Sequence, residues 1–197
     1  MKVCVFCGSS MGNSPVYRNE AKVVAEYFVK RNISLVYGGA NVGIMKVLAD
    51  VMLENNKEVI GVMPTMLIEK EVAYFDITKL YQVETMAERK DKMLELSDAF
   101  IALPGGFGTL DELSEILTFN QLRITDKPLG ILNVNGYFDH LLKFIDHAVE
   151  VGYVRQEHRN NLIVANEIET LLDKMNAYSP LSMGKWIEDI VEESNPS

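Results

Sequence analysis

The chain has 197 residues, of which 48% are hydrophobic and 24% charged, with a formal net charge of −9. One α/β domain spanning residues 1–197 suits that length and can bury a substantial core. The acidic balance argues against a nucleic-acid or anionic-membrane partner, since neither polyanion would be attracted, while no apolar run approaches the ~20 residues of a membrane span.

The N-terminal segment Met1–Cys7 is too short for a signal region and runs straight into a turn, so a cytoplasmic protein is expected. Residues 2–7 read as a first buried strand and Gly8–Asn13 as a turn. Ser14-Pro15 then opens a helix, with a cap and a proline at its first position. Val16, Val23, Val24, Tyr27 and Phe28 should face inward, and the helix should end near Arg31-Asn32. Ile33–Tyr37 is a second strand, followed by the turn Gly38–Gly43 and a helix to about Glu54; Glu58–Val62 is a third strand. Residues 64–76 read as a short helix or loop, and Ile77–Val83 as a strand or extended connection. Thr85-Met86-Ala87-Glu88 has the T-x-x-E pattern of a capping box and opens a helix to about Leu96.

The five apolar residues Ala99–Leu103 read as a central parallel strand. A helix follows with Leu110, Leu113, Ile116, Leu117 and Leu122 on one face. Pro128–Asn133 is another strand, about Tyr137–Val151 a helix, Leu162–Ala165 a last strand and 167–176 a helix. Trp186, Ile187 and Ile190 recur at helical spacing, so 181–194 is expected to be a C-terminal helix packed on the body or on a partner subunit. Strands alternating with helices imply a Rossmann-like, doubly wound parallel sheet with helices on both faces. In such a sheet ligands bind beyond the carboxyl ends of the strands, where the strand order switches. Three glycine-bearing turns, 8–12, 38–43 and 105–108, should converge there and favour a phosphate-bearing small molecule.

The last of those turns lies in Pro104-Gly105-Gly106-Phe107-Gly108-Thr109-Leu110-Asp111-Glu112. Its glycines permit close approach to the main chain, and the amides of the following helix offer an anion site. A structural reading competes for the acid: Thr109 and Glu112 also match T-x-x-E, a cap worth about 1 kcal/mol. Other phosphate chemistries lack their marks. The first turn has no G-x-G-x-x-G, no G-x-x-x-x-G-K-[ST] occurs, no lysine carries the surroundings of a pyridoxal Schiff base, and no metal-ligand cluster is apparent. Cys4 and Cys7 are spaced C-x-x-C, but on a strand residues three apart point to opposite faces, and they read as buried, reduced structural cysteines. Arg89 and Lys90 lie near the positive end of their helix, where an anion in the crevice would suit both.

The glycine motif taken with Met86-Ala87-Glu88-Arg89-Lys90 resembles the Lonely Guy family, cytokinin riboside 5′-monophosphate phosphoribohydrolases often labelled "possible lysine decarboxylase". The likeness spans about residues 1–175 and includes Val5–Ser10, Leu35–Gly39, Ser97–Leu103 and Asp126-Lys127-Pro128. The resemblance implies hydrolysis of the N-glycosidic bond of an adenosine 5′-monophosphate, often N6-substituted, with no cofactor, by a homodimer. It makes Arg89 and Glu112 the catalytic residues. Substrate-binding positions carry over onto Gly105, Gly106, Phe107, Gly108, Thr109, Leu110 and Asp111, and onto Glu71, Lys90 and Thr118. Ser9, Ser10 and Gly39 are further expected linings of the crevice. Three departures from the commoner family pattern bear on substrate preference: Ala40 and Lys46 stand where glycines are usual, and Ala87 where histidine is frequent. The competing readings are a non-catalytic nucleotide or molybdenum-cofactor carrier on the same fold, and a dimerisation module with a vestigial site.

Overall fold

The computed structural model describes residues 1–70 and 72–180. Glu71 and the expected helix 181–194 lie outside the described residues. The first half runs β1 (Lys2–Phe6), α1 (Pro15–Arg31), β2 (Ser34–Tyr37), α2 (Gly43–Glu54), β3 (Val59–Pro64), α3 (Thr65–Ile68), β4 (Lys79–Val83) and α4 (Met86–Leu96). The second half runs β5 (Ala99–Ala102), α5 (Phe107–Gln121), β6 (Leu129–Leu132), α6 (Asp139–Glu150), α7 (Gln156–Asn160), β7 (Leu162–Ala165) and α8 (Ile168–Asn176).

All seven strands pair in parallel, in the order β4-β3-β2-β1-β5-β6-β7. The chain builds outward from β1 to one edge, returns to lay β5 against β1, then builds outward the other way. The switch therefore falls between β1 and β5, which are in register from Val3 opposite Ala99 to Phe6 opposite Ala102. Alternation along the strands divides the core. Val3, Val5, Leu35 and Tyr37 pack under α1, α2 and α8, while Cys4, Phe6, Val36 and Phe100 pack under α4, α5 and α6. Cys4 and Cys7 accordingly belong to opposite faces, both buried and free, and burial pushes both thiols well above their ordinary pKa.

Local differences from the sequence reading have physical causes. In α1 the buried stripe is Ala21, Val24, Ala25 and Phe28, and Val23, one step round the helix, is 46% exposed. The Ser14 hydroxyl accepts from the Val16 amide at 3.4 Å, and Pro15 takes the first helical position. Leu122 is exposed because α5 ends at Gln121. The helix expected from Tyr137 starts at Asp139, after a 3-10 turn over Val134–Gly136; the Asn133 side chain ties the junction by accepting from the Phe138 amide and donating to Asp139. The short α7 was not anticipated, since five polar residues carry no periodic signal. No helix among the described residues is long and apolar enough to cross a membrane.

Candidate active site

The three glycine turns meet at the switch point. The Gly8 amide donates to the Pro104 carbonyl at 3.1 Å, and the Ile44 amide donates to the Gly8 carbonyl at 3.1 Å, which sews the turns after β1, β2 and β5 into one rim. Contact is close enough to require glycine. A Cβ on Gly105 would run into the Thr109 hydroxyl and lie 2.8 Å from the Gly8 nitrogen, and one on Gly38 would meet the Arg89 guanidinium.

Beyond this rim lies a cavity of about 400 Å³, within the size range that houses small ligands. Its lining has a polar part, formed by Ser9, Arg89, Gly106, Gly108, Thr109 and Glu112, and an apolar part, formed by Val42, Met45, Met63, Leu67 and Val72. The apolar residues pack in one cluster and meet the polar part where Met45 and the Arg89 guanidinium lie together over Gly38. Phe107 stands at the mouth, 91% exposed.

The central turn differs from its sequence reading in a way that decides what Glu112 does. Helix α5 starts at Phe107, with Gly106 as N-cap and no side-chain cap, so Thr109 is its third residue rather than its cap. The T-x-x-E box expected at Thr109 and Glu112 does not form. Its first backbone bond runs from the Leu110 amide to the Gly106 carbonyl at 3.2 Å, which leaves the amides of Phe107, Gly108 and Thr109 without helical partners. The first turn carries no acid, and the positive end of the helix dipole faces the cavity uncompensated. Thr85 does cap α4: its hydroxyl accepts from the Glu88 amide at 3.1 Å, while the Glu88 carboxylate reaches one residue further back than a standard box, to the Glu84 amide at 2.9 Å.

Released from capping, Glu112 pairs with Arg89. The guanidinium Nη1 donates to Oε1 at 2.8 Å, and Nε donates to the Val62 carbonyl at 3.1 Å. The two side chains are 11% and 8% exposed. Helix α4, the end of β3 and helix α5 thus fix one ion pair from three directions. Burial raises the Glu112 pKa, and the Arg89 charge and hydrogen bond oppose that rise. Such a carboxylate is oriented, nearly dry and beside an open polar cavity, so it can stabilise developing positive charge or direct a water molecule.

Other expected site residues fall elsewhere. Lys90 turns away from the cavity to bind Asp111 at 3.2 Å and Glu115 at 3.0 Å, an external tie between α4 and α5. Thr118 lies down the exposed side of α5 with its hydroxyl bonded to the Ser114 carbonyl. Leu110 is half-buried and does not line the cavity. Gly39 packs against Gly61 and Leu80; its neighbour Gly38 takes the lining position. Ser10 and Gly105 line an adjoining hollow of about 260 Å³ with Tyr17 and Tyr137, across Gly8 and Gly106. The sequence reading missed the apolar wall. Met45 follows the turn 38–43 in sequence, whereas Met63 and Leu67 lie at the end of β3 and in α3, away from the three glycine turns and without a signal of their own. Cys7, read as structural, is buried but also touches the cavity floor.

Comparison with known proteins gives a consistent picture. The family model described as Possible lysine decarboxylase matches residues 45–175. The chain is 44% identical over 190 residues, 94% of its own length and 78% of the relative's, to a rice (Oryza sativa subsp. japonica) protein named Probable cytokinin riboside 5′-monophosphate phosphoribohydrolase. It is also 44% identical to a cytokinin riboside 5′-monophosphate phosphoribohydrolase of Arabidopsis thaliana, over 91% of this chain and 84% of that one. Among solved structures, it is similar to the molybdenum cofactor binding protein of Rippkaea orientalis, with a TM-score of 0.67 and 21% identity over 89% of this chain and 95% of the other. The molybdenum cofactor carrier protein of Chlamydomonas reinhardtii gives a TM-score of 0.66 and 16% identity, over 90% of this chain and 98% of that one. At such identities these two structures support the fold alone.

Proposed function

Since the chain belongs to the Lonely Guy family of cytokinin riboside 5′-monophosphate phosphoribohydrolases, we propose that it hydrolyses the N-glycosidic bond of an adenosine 5′-monophosphate, plain or N6-substituted. Water adds its hydroxyl to C1′ of the ribose and the base leaves with a proton, giving free base and ribose 5-phosphate. The observation that carries this reading is the buried Arg89–Glu112 pair, set beside the uncapped start of α5 in a cavity with a polar and an apolar part.

The 5′-phosphate lies against the amides of Phe107, Gly108 and Thr109, where the helix dipole and the unpaired N–H groups favour an anion. The base lies against the apolar part. Between them C1′ comes beside Glu112. Departure of the base leaves an oxocarbenium-like ribose, which the carboxylate stabilises while it orients the attacking water. Arg89 aims Glu112 and opposes the rise that burial imposes on its pKa. No cofactor enters this scheme.

A cytoplasmic homodimer is part of the same proposal. Phe144 on α6 and Tyr153 just beyond it are 67% and 88% exposed, apolar surface of the kind that a second copy covers. Light scattering on the purified protein should give twice the 22.2 kDa chain mass; a monomer at micromolar concentration would remove this part.

The test of the activity is to incubate the protein with AMP and isopentenyl-AMP and separate the products by chromatography. Release of adenine or isopentenyladenine from at least one is expected. Tight binding of both with no release would point instead to a nucleotide carrier.

A further inference from the structure

The apolar part of the cavity rests on a strip of chain outside the seven-stranded sheet. Residues 72–74 run antiparallel to the turn after β2: the Asn41 amide donates to the Val72 carbonyl at 2.8 Å, the Tyr74 amide donates to the Gly39 carbonyl at 2.9 Å, and Ala73 pairs with Ala40. Val72 lines the cavity beside Leu67, and both pack with the small buried cluster Ala40, Met63 and Ala73.

A second attachment joins this strip to α2. The Tyr74 hydroxyl donates to Asp50 Oδ1 at 2.7 Å, and the same oxygen accepts from Lys46 Nζ at 3.2 Å. The Lys46 ammonium also lies 5.0 Å from the centroid of the Tyr74 ring, within cation–π range. Lys46 and Asp50 are one helical turn apart and so present one face to the tyrosine. The Asp50 carboxylate raises the Tyr74 hydroxyl pKa to about 12, chiefly through the hydrogen bond, and the tyrosine therefore stays a donor throughout the neutral range. None of the three side chains reaches the cavity, but Lys46 and Asp50 lie on the helix that carries Met45, and Tyr74 lies two residues from Val72.

We propose that Lys46, Asp50 and Tyr74 are positioning residues that hold the wall formed by Leu67 and Val72 in place and so determine how well a nucleotide with an apolar N6 substituent binds. The inference rests on the functional reading above for the identity of the ligand. An anionic sugar ester occupies the polar part beside Arg89 and Glu112, the purine extends toward the apolar part, and its outer edge carries the substituent onto Leu67 and Val72. A wall fixed in advance lowers the ordering cost of that contact. Loss of the tie is felt by the substituent and hardly by the phosphate.

The experiment measures equilibrium binding of AMP and isopentenyl-AMP by calorimetry in a Glu112→Gln background, so that turnover does not enter. Tyr74→Phe keeps the ring and removes the hydroxyl; Lys46→Met removes the charge, and Lys46→Arg restores it. Tyr74→Phe should weaken isopentenyl-AMP about fivefold, less than the full worth of a hydrogen bond to a charged group because the tie acts on the ligand only through the wall. AMP should change by less than about twofold on the same grounds. Lys46→Met should act in the same direction and Lys46→Arg should restore the affinity. With Glu112 present, the same variants should raise KM for isopentenyl-AMP and leave kcat near the parent value. Equal weakening of both nucleotides, or no change in either, would overturn the inference, as would failure of the parent to bind either. If the affinities shift as expected but the parent releases no base, the positioning role stands and the hydrolase reading falls; normal release with unshifted affinities gives the reverse.

Discussion

Arg89 and Lys90 are neighbours on α4, and Asp111 and Glu112 are neighbours on α5, yet the two ion pairs they form across the helices have little in common. Arg89–Glu112 is almost fully enclosed, and Arg89 has a second partner in the Val62 carbonyl. Lys90 meets Asp111 and Glu115 on the outer side of the same helix pair, where Asp111 is more than half exposed. A single residue step turns a helical side chain by about 100°, which is enough to send one basic residue to the cavity and the next to the other side of the helix pair, between Asp111 and Glu115. Charge pairing alone therefore does not mark a site. The buried pair is costly to keep, because desolvation offsets much of its attraction, and it occurs where the protein has a cavity beside it. The outer ties are part-buried at Lys90 and Glu115 and exposed only at Asp111, so they keep more contact with water than the inner pair and add modestly to stability.

The sharpest break between the pairs should come from Glu112→Gln. The shape and the contact with Arg89 survive, since an amide oxygen can still accept, but the negative charge is gone. Turnover should fall by about 100-fold or more, the usual effect of removing an electrostatic or acid–base group, with a loss of melting temperature smaller than that of Arg89→Ala, since Arg89 keeps the amide oxygen and the Val62 carbonyl as partners; chromatographic rates and a thermal melt measure the two. Arg89→Ala should come next. It leaves Glu112 buried without its counter-charge, which costs about 3 kcal/mol when a buried pair is broken, and turnover should drop as well. Denaturant titration reads the first effect, and Arg89→Lys should be intermediate because an ammonium cannot bind Val62 and Glu112 with the fixed fork of a guanidinium.

Acidity separates activity from stability. Burial raises the folded-state pKa of Glu112 above its ordinary value, so the ionised carboxylate costs stability at neutral pH, and that cost is relieved as pH falls through the folded value. Turnover needs the ionised form and should decline over the same interval, beginning above the usual glutamate range of about 4.3. A pH–rate profile should thus show an acid limb displaced upward, and Glu112→Gln should lack the matching contribution to a pH–stability curve. The smallest effect belongs to Lys90→Ala. Loss of the outer tie should cost no more than about 1 kcal/mol and should lower turnover far less than Arg89→Ala does, measured side by side.

Sequence alone revealed much of this arrangement, for reasons that can be stated. Buried parallel strands are continuous apolar runs such as Ala99–Leu103, and glycines in strand-to-helix turns recur where backbones crowd. The sheet and the convergence of the glycine turns follow from those patterns, while the joining of the two motifs in one site came from the family resemblance. Orientation within a turn was harder to read. T-x-x-E at Thr109 and T-x-x-E at Thr85 look alike as strings; but Gly106 starts α5 three residues early, and only Thr85 becomes a cap. The wall formed by Leu67 and Val72 was hidden for another reason. Its residues come from a four-residue helix and an isolated bridge, too short to impose a period, and they are assembled by contacts with Ala40 and α2 from distant parts of the chain. Lys46 stood out as a departure from the family pattern bearing on substrate preference, whereas its partner Tyr74 was not anticipated.

The most direct measurement is a crystal structure of Glu112→Gln soaked with AMP. The 5′-phosphate should sit on the amides of Phe107, Gly108 and Thr109, with the adenine toward Met63 and Val72 and C1′ beside the side chain at position 112. A nucleotide bound with its phosphate away from that turn, or with residue 112 facing the base rather than C1′, would contradict the assignment.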